Sequence, residues 1–199
     1  MKKILFICSH PYSGSDALYE CLNHHPKIQG YRTFRNAYIH PTQLLDLTRR
    51  PHKLSNRAAI YMDELLSNES FYASAAYKKC HFVYVIREPE APLNFLVGGE
   101  KKPPLFACRE YTFRLRRLCE MAKRTPGAVL LTWSNLMENK GLSLLEDYLG
   151  IKDIEFDPAL LNPYQRDFPK LLNYKMLSEA QDAYERYLYF LKNQKINYV

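Results

Sequence analysis

Three short apolar runs limit what this chain can fold into more than any other feature. Ile4 to Cys8, His81 to Ile86 and Ala128 to Trp133 are rich in β-branched and aromatic residues, scarcely alternate with polar ones, and stop abruptly. A strand with one wet face alternates in polarity, whereas a strand covered on both faces reads as a continuous apolar run. Helical spacing follows the runs. After the first come Ala17, Leu18, Cys21 and Leu22; after the second Tyr111, Leu115, Leu118, Cys119 and Ala122; after the third Leu142 to Leu149, closed by Gly150. A last amphipathic segment places Ala180, Tyr184, Tyr187, Leu188 and Leu191 on one face. Buried strands alternating with helices predict an α/β fold, a three-layer sandwich around a central, mainly parallel sheet. Lys27 to Phe34 reads as a short strand and Ala58 to Leu66 as a helix, while Asn36 to Arg57 fits neither pattern.

At 199 residues without repeats, low-complexity tracts or a Gly/Ser linker, the chain reads as one domain, large enough to be stable without metal or disulfide staples. Its five cysteines (Cys8, Cys21, Cys80, Cys108, Cys119) form no even framework and no C-x-x-C pair, which fits small core thiols in a reducing compartment. No run approaches the ~18 apolar residues of a membrane span, and the apolar stretch after Lys2 and Lys3 is too short for a signal peptide, so a cytoplasmic protein without a membrane span is expected. Lys and Arg exceed Asp and Glu by 28 to 21, a net charge of +7, which favours a partner that is anionic somewhere. The basic residues lie in short scattered groups such as Arg49, Arg50, His52 and Lys53 or Arg114, Arg116 and Arg117, a pattern that fits solvated faces better than a nucleic-acid tail. Nucleic acid stays a third reading, tested by the salt dependence of binding.

In folds of this class ligands collect beyond the carboxyl ends of strands, which directs attention to two loops. In Ser9-His10-Pro11-Tyr12-Ser13-Gly14-Ser15-Asp16, a strand turns through small residues into a helix amino terminus, where unpaired N–H groups and the helix dipole favour an anion. Gly14 lets an anion approach the backbone, and Ser13 and Ser15 add hydroxyl donors. The bland alternative is an ordinary turn with Ser15 as N-cap. The loop is no Walker A motif, having no lysine between Ser9 and Glu20, and it lacks the C-x5-R of a cysteine phosphatase, since the sixth residue after Cys8 is Gly14. Cys8 is therefore taken as a core residue. The second loop opens with Arg87, at a strand's carboxyl end before Glu88-Pro89. His24 and His25 lack metal-ligand spacing, and no metal site is expected.

Three segments, in order, resemble the sulfotransferases that use 3′-phosphoadenosine-5′-phosphosulfate (PAPS). ILFICSHPYSGSDALYECLNHHPKI (residues 4–28) is similar to the family's strand, Ser-Gly-Thr-type loop and helix with a following His-Pro; HFVYVIREPEAPLNFLV (81–97) to its strand ending in Arg-x-Pro; VLLTWSNLMENKGLSLLEDYLGI (129–151) to its strand, Tyr-Glu-Asp-Leu segment and helix ending in Leu-Gly. The resemblance implies a P-loop-NTPase-like sulfotransferase fold and transfer of a sulfuryl group from PAPS to a hydroxyl or amine of a small-molecule or glycan acceptor, leaving 3′-phosphoadenosine-5′-phosphate. It implies a cofactor site of Tyr12, Ser13, Gly14, Ser15 and Asp16 around the 5′-phosphosulfate, with Arg87 on the 3′-phosphate in a bidentate charge-assisted pair.

The departures are specific. Tyr12 stands where the family carries Lys or Arg, and brings no positive charge; Arg32, Arg35 or Lys170 are the cations offered in its place, Arg32 as catalytic candidate. Asp16 replaces a common Thr. Position 95 is Phe where a Ser ligand is usual, so Asn94 is the substitute. Tyr-Glu-Asp-Leu has become Trp133-Ser134-Asn135-Leu136. His10 is the first candidate for general base, ahead of His40 and His81. The departures keep a second reading open: a sulfotransferase-like protein that binds a 3′-phosphorylated adenine nucleotide without turnover.

Overall fold

The computed structural model describes residues 4–31, 58–62, 80–138, 140–155, 157, 159–160, 172–193 and 197–198. The three apolar runs form β1 (Ile4–Ser9), β4 (Cys80–Ile86) and β5 (Val129–Thr132). With β2 (Ile28–Tyr31), β3 (Ala58–Met62) and β6 (Asn197–Tyr198) they make a six-stranded sheet of order β2-β3-β1-β4-β5-β6, in which every pairing is parallel. The helix expected from Ala58 onward is instead strand β3: Ala59 to Met62 pair with Ile4 to Ile7, and Ala58 to Tyr61 with Ile28 to Tyr31. A short unbroken apolar stretch suits either period, and the hydrogen-bonding edges of β1 and β2 decide for the strand.

The double burial of the strands is visible residue by residue. Ile4, Phe6 and Cys8, Phe82, Tyr84 and Ile86, with Leu130, pack on one face against α3 (Pro104–Ala122) and α6 (Tyr174–Lys192). Leu5 and Ile7, Val83 and Val85, with Val129 and Leu131, pack on the other against α1 (Ser15–His24) and α5 (Lys140–Leu149). The layers are thus helix, sheet, helix. All the helical positions expected to be apolar after β4, namely Tyr111, Leu115, Leu118, Cys119 and Ala122, are buried.

Local signals fix the ends. Gly150 closes α5 at φ 63°, where only glycine is unstrained, and Ile151 N–H donates to Glu146 C=O. Trp133, expected at the end of β5, begins α4 (Trp133–Met137) instead, because Thr132 and Asn135 form a reciprocal capping box. Between β4 and α3 the chain makes α2 (Glu90–Asn94) and passes into a π-helical turn, Phe95–Gly99. From β1 the chain crosses to β2 on one side of the sheet, while from β4 it proceeds to β5 on the other, so β1 and β4 are neighbours whose connections part. Such a switch point opens a crevice at the carboxyl ends of the two strands. No described helix is long and apolar enough to cross a membrane.

Candidate functional site at the carboxyl ends of β1 and β4

Five residues, His10 to Gly14, carry the chain from β1 into α1. The reversal uses left-handed backbone at Tyr12 (φ 60°) and Gly14 (φ 89°), and Ser9 Oγ donates to Ser15 Oγ across the loop's base at 2.8 Å. Gly14 is the N-cap, no side chain caps α1, and Leu18 N–H donates to Gly14 C=O. Ser15, offered as N-cap, is therefore the first helical residue, its hydroxyl turned to Ser9. Asp16 lies half-buried in the first turn, where a carboxylate suits the helix dipole. Ser13 is 1% exposed, and its hydroxyl has no hydrogen-bond partner among the described residues.

Arg87 follows β4 directly and is 8% exposed. Its backbone is pinned on both sides by buried side chains: Arg87 N–H donates to His10 Nε2 at 2.8 Å, and Tyr111 Oη–H donates to Arg87 C=O at 2.6 Å. An N–H can only donate, so Nε2 is the acceptor, and His10 is the neutral tautomer whose Nδ1–H donates to Pro11 C=O at 3.0 Å. The His10 ring also meets Tyr111 edge-on at 4.9 Å. Burial holds the His10 pKa down at about 4; the positive charges of Arg114 and Arg87 push the same way, against the pull of the hydrogen bond to Pro11 C=O. Both ring nitrogens are committed and the residue is 0% exposed, so His10 latches the β1 loop to the end of β4.

The Arg87 guanidinium carbon lies 3.9 Å from the centroid of the Trp133 ring and 5.3 Å from that of Tyr12. Tyr12 in turn stacks on Phe95 at 4.6 Å with the planes 9° apart. Four side chains from four segments thus form one run, Phe95, Tyr12, Arg87, Trp133. Trp133 also reaches the loop: a Cβ built on Gly14 would stand 2.6 Å from Cζ3 and 2.7 Å from Cε3 of the indole. The space that the missing Cβ leaves at Gly14 is taken by the Trp133 indole.

Asn94 ends α2 beside Phe95, is 7% exposed, and its Oδ1 has no hydrogen-bond partner among the described residues. Since Phe95 stacks on Tyr12, which precedes Ser13, the two partnerless polar groups belong to segments that touch. The structure thus brings the β1 loop, with His10, Tyr12 and Gly14, against Arg87, Trp133 and Phe95, and leaves Ser13 and Asn94 as chain neighbours of residues in that contact. Arg32 lies outside the described residues, as do Arg35, His40, Arg49, Arg50, His52, Lys53 and Lys170.

Sequence reasoning missed Tyr111, Phe95 and the reach of Trp133. Tyr111 carried a signal, since a tyrosine among core positions needs a partner for its hydroxyl; the other two carried none. Arg114, which the sequence presents as a solvated charge, sits near enough to His10 to act on its pKa, and it pairs with Glu110 at 3.4 Å. Among the described residues no group of three or more His, Cys, Asp or Glu is arranged to hold a metal. His25 Nε2 is engaged with Lys152 C=O and its Nδ1 accepts from Lys27 N–H. All five cysteines are free thiols; Cys8 is fully buried, and burial pushes the Cys21 and Cys119 thiols up to about 12. Neither of these two has the depressed pKa of a nucleophilic thiolate.

No protein-family model matches the chain, and no curated protein matches it in sequence. Solved structures do match. The sulfotransferase domain of the Synechococcus PCC 7002 olefin synthase superposes with a TM-score of 0.53 at 16% identity, covering 96% of this chain and 93% of that one. Mouse sulfotransferase SULT7A1, solved in complex with PAP, superposes with a TM-score of 0.55 at 16% identity over 83% of this chain, and this chain spans 65% of the mouse protein. The fold is that of the sulfotransferases, a three-layer α/β sandwich on a parallel sheet.

Proposed function

We propose that the chain binds a 3′-phosphoadenosine nucleotide at the carboxyl ends of β1 and β4 and transfers a sulfuryl group from PAPS to a hydroxyl or amine of a small-molecule or glycan acceptor. The observation that carries this reading is a buried arginine, Arg87, lying over the Tyr12 ring at the switch point of a sulfotransferase fold, where the chain neighbours of Tyr12 and of its stacking partner Phe95, Ser13 and Asn94, carry buried polar atoms (Oγ and Oδ1) without partners among the described residues. Leaving the Ser13 hydroxyl unpaired costs about 1–3 kcal/mol, a cost that a bound anion removes by accepting from it. The residues fit the nucleotide. Ser13 and the uncapped amino end of α1 would hold the 5′-phosphosulfate. Arg87 would meet the 3′-phosphate, joined by the Asn94 amide, whose NH2 takes the place of Oδ1 after a half-turn of the side chain.

When bound, PAPS supplies the transferable sulfuryl group. The chain's own residues bind and orient it, and His10 serves in this reading as a positioning residue for Arg87. Binding without turnover is the second reading, favoured by two observations: Tyr12 places a neutral ring where a cation would stabilise developing charge, and both His10 nitrogens are occupied. A missing oxyanion donor costs about 3–4 kcal/mol of catalysis.

Calorimetric titration with 3′-phosphoadenosine-5′-phosphate beside ADP tests the site. Selective binding of the 3′-phosphorylated nucleotide, lost in Arg87→Ala, is expected; no binding, or equal binding of ADP, overturns the proposal. Transfer of labelled sulfate from PAPS to a panel of phenols, amines and sugars then separates the two readings.

A further inference from the structure

The run Phe95, Tyr12, Arg87, Trp133 uses three residues that depart from the family's pattern, and all of them bear on the buried cation of the site, Arg87. A guanidinium on a long side chain has many directions to point in. Here its carbon lies over two aromatic rings, at 3.9 Å and 5.3 Å, and each ring is itself held: Trp133 by the space above Gly14, Tyr12 by Phe95. The π-helical turn that begins at Phe95 sets the ring that backs Tyr12. We propose that Trp133 and Tyr12 are positioning residues that fix the direction of the Arg87 guanidinium before ligand arrives, so that the site selects a phosphate monoester by a planar, oriented arginine rather than by a point charge. This deepens the nucleotide-site reading and rests on it for the ligand class.

The physical argument is one of preorganisation. The two rings remove the conformational freedom that an unsupported arginine would lose on binding, and they attract its charge through their π faces. Because Trp133 contacts both Gly14 and Arg87, it also fixes the arginine relative to the loop that carries Ser13. A lysine at position 87 would keep the charge and lose both the planar fork and the stacking.

Trp133 is the chain's one tryptophan, so indole emission reports on the surroundings of this residue. The experiment titrates 3′-phosphoadenosine-5′-phosphate into wild type and into Trp133→Phe, Trp133→Leu, Tyr12→Phe, Tyr12→Leu and Arg87→Lys, reading affinity by calorimetry, and in the variants that keep the indole also reading its emission. Wild-type emission is expected to change on titration. The Phe variants keep a ring and are expected to bind within about threefold of wild type, while both Leu variants and Arg87→Lys weaken binding tenfold or more with far-UV circular dichroism unchanged. Leu variants or Arg87→Lys binding within threefold of wild type would overturn the proposal; if a Leu variant does not fold, Arg87→Lys decides. If wild type binds no nucleotide, the nucleotide reading has failed, and inorganic pyrophosphate titrated into the same variants tests the clamp by itself. Tenfold weakening there sustains it, and the absence of pyrophosphate binding to wild type overturns it too.

Discussion

Arg87 is held from both its ends: His10 and Tyr111 take its backbone N–H and C=O, while Trp133 and Tyr12 lie against its guanidinium. The neutral state of His10 is what permits the first of these bonds, and this gives the fold a pH dependence. The folded pKa of about 4 lies below the ordinary value of 6.5, so between those values the unfolded chain takes up a proton that the folded one refuses. The stability is fully present above pH 6.5 and is lost as pH falls towards 4. The loss across that window is about 3 kcal/mol, since each pH unit contributes about 1.4 kcal/mol. Urea unfolding of wild type and His10→Gln across pH 4 to 7 checks this: the slope over that window should flatten in the variant, and an unchanged slope would assign it to other groups. Arg87 could be singled out in the sequence because Arg before x-Pro at the end of an apolar run names both a strand terminus and a charge. The tautomer of His10 could not, since it depends on a hydrogen bond from a residue 77 positions away.

At the scale of elements, the β1–α1 turn and the start of α4 are fitted to each other. Gly14→Ala places a methyl in left-handed backbone and against the indole of Trp133. A cost of about 2–4 kcal/mol is expected from backbone strain and overpacking together. Combining it with Trp133→Ala should recover the overpacking part, so the two substitutions will be non-additive in a double-mutant cycle; additive costs would mean that the ring does not oppose the methyl. Thr132→Ala removes the hydroxyl that accepts from Asn135 N–H in the capping box. It should cost about 1 kcal/mol, read by the urea midpoint. The strand, loop and helix of the opening unit were legible in the sequence because apolar run, small residues and helical spacing follow one another within 21 residues. The misassignment of Ala58 to Met62 has the opposite cause: the run is short, and its strand partners lie at Ile4 to Ile7 and Ile28 to Tyr31.

Across the whole molecule, the two apolar layers share β1, β4 and β5, with alternate residues of each strand serving opposite faces. Loosening one layer removes support from the other, so the chain is expected to unfold in a single transition. Trp133 emission and far-UV circular dichroism should give coincident urea curves; separated midpoints would show a site that opens independently of the sheet. By itself the sequence determined the layer order, the parallel sense of the sheet and the two loops that leave the carboxyl ends of β1 and β4. Continuous apolar strands demand cover on both faces, and helix-linked strands run parallel. The tertiary structure alone decided what the loop residues do. Gly14 makes room for an indole, His10 accepts a backbone hydrogen bond, and Tyr12 backs an arginine, each through a contact with a residue more than 70 positions away, where no local pattern carries the information.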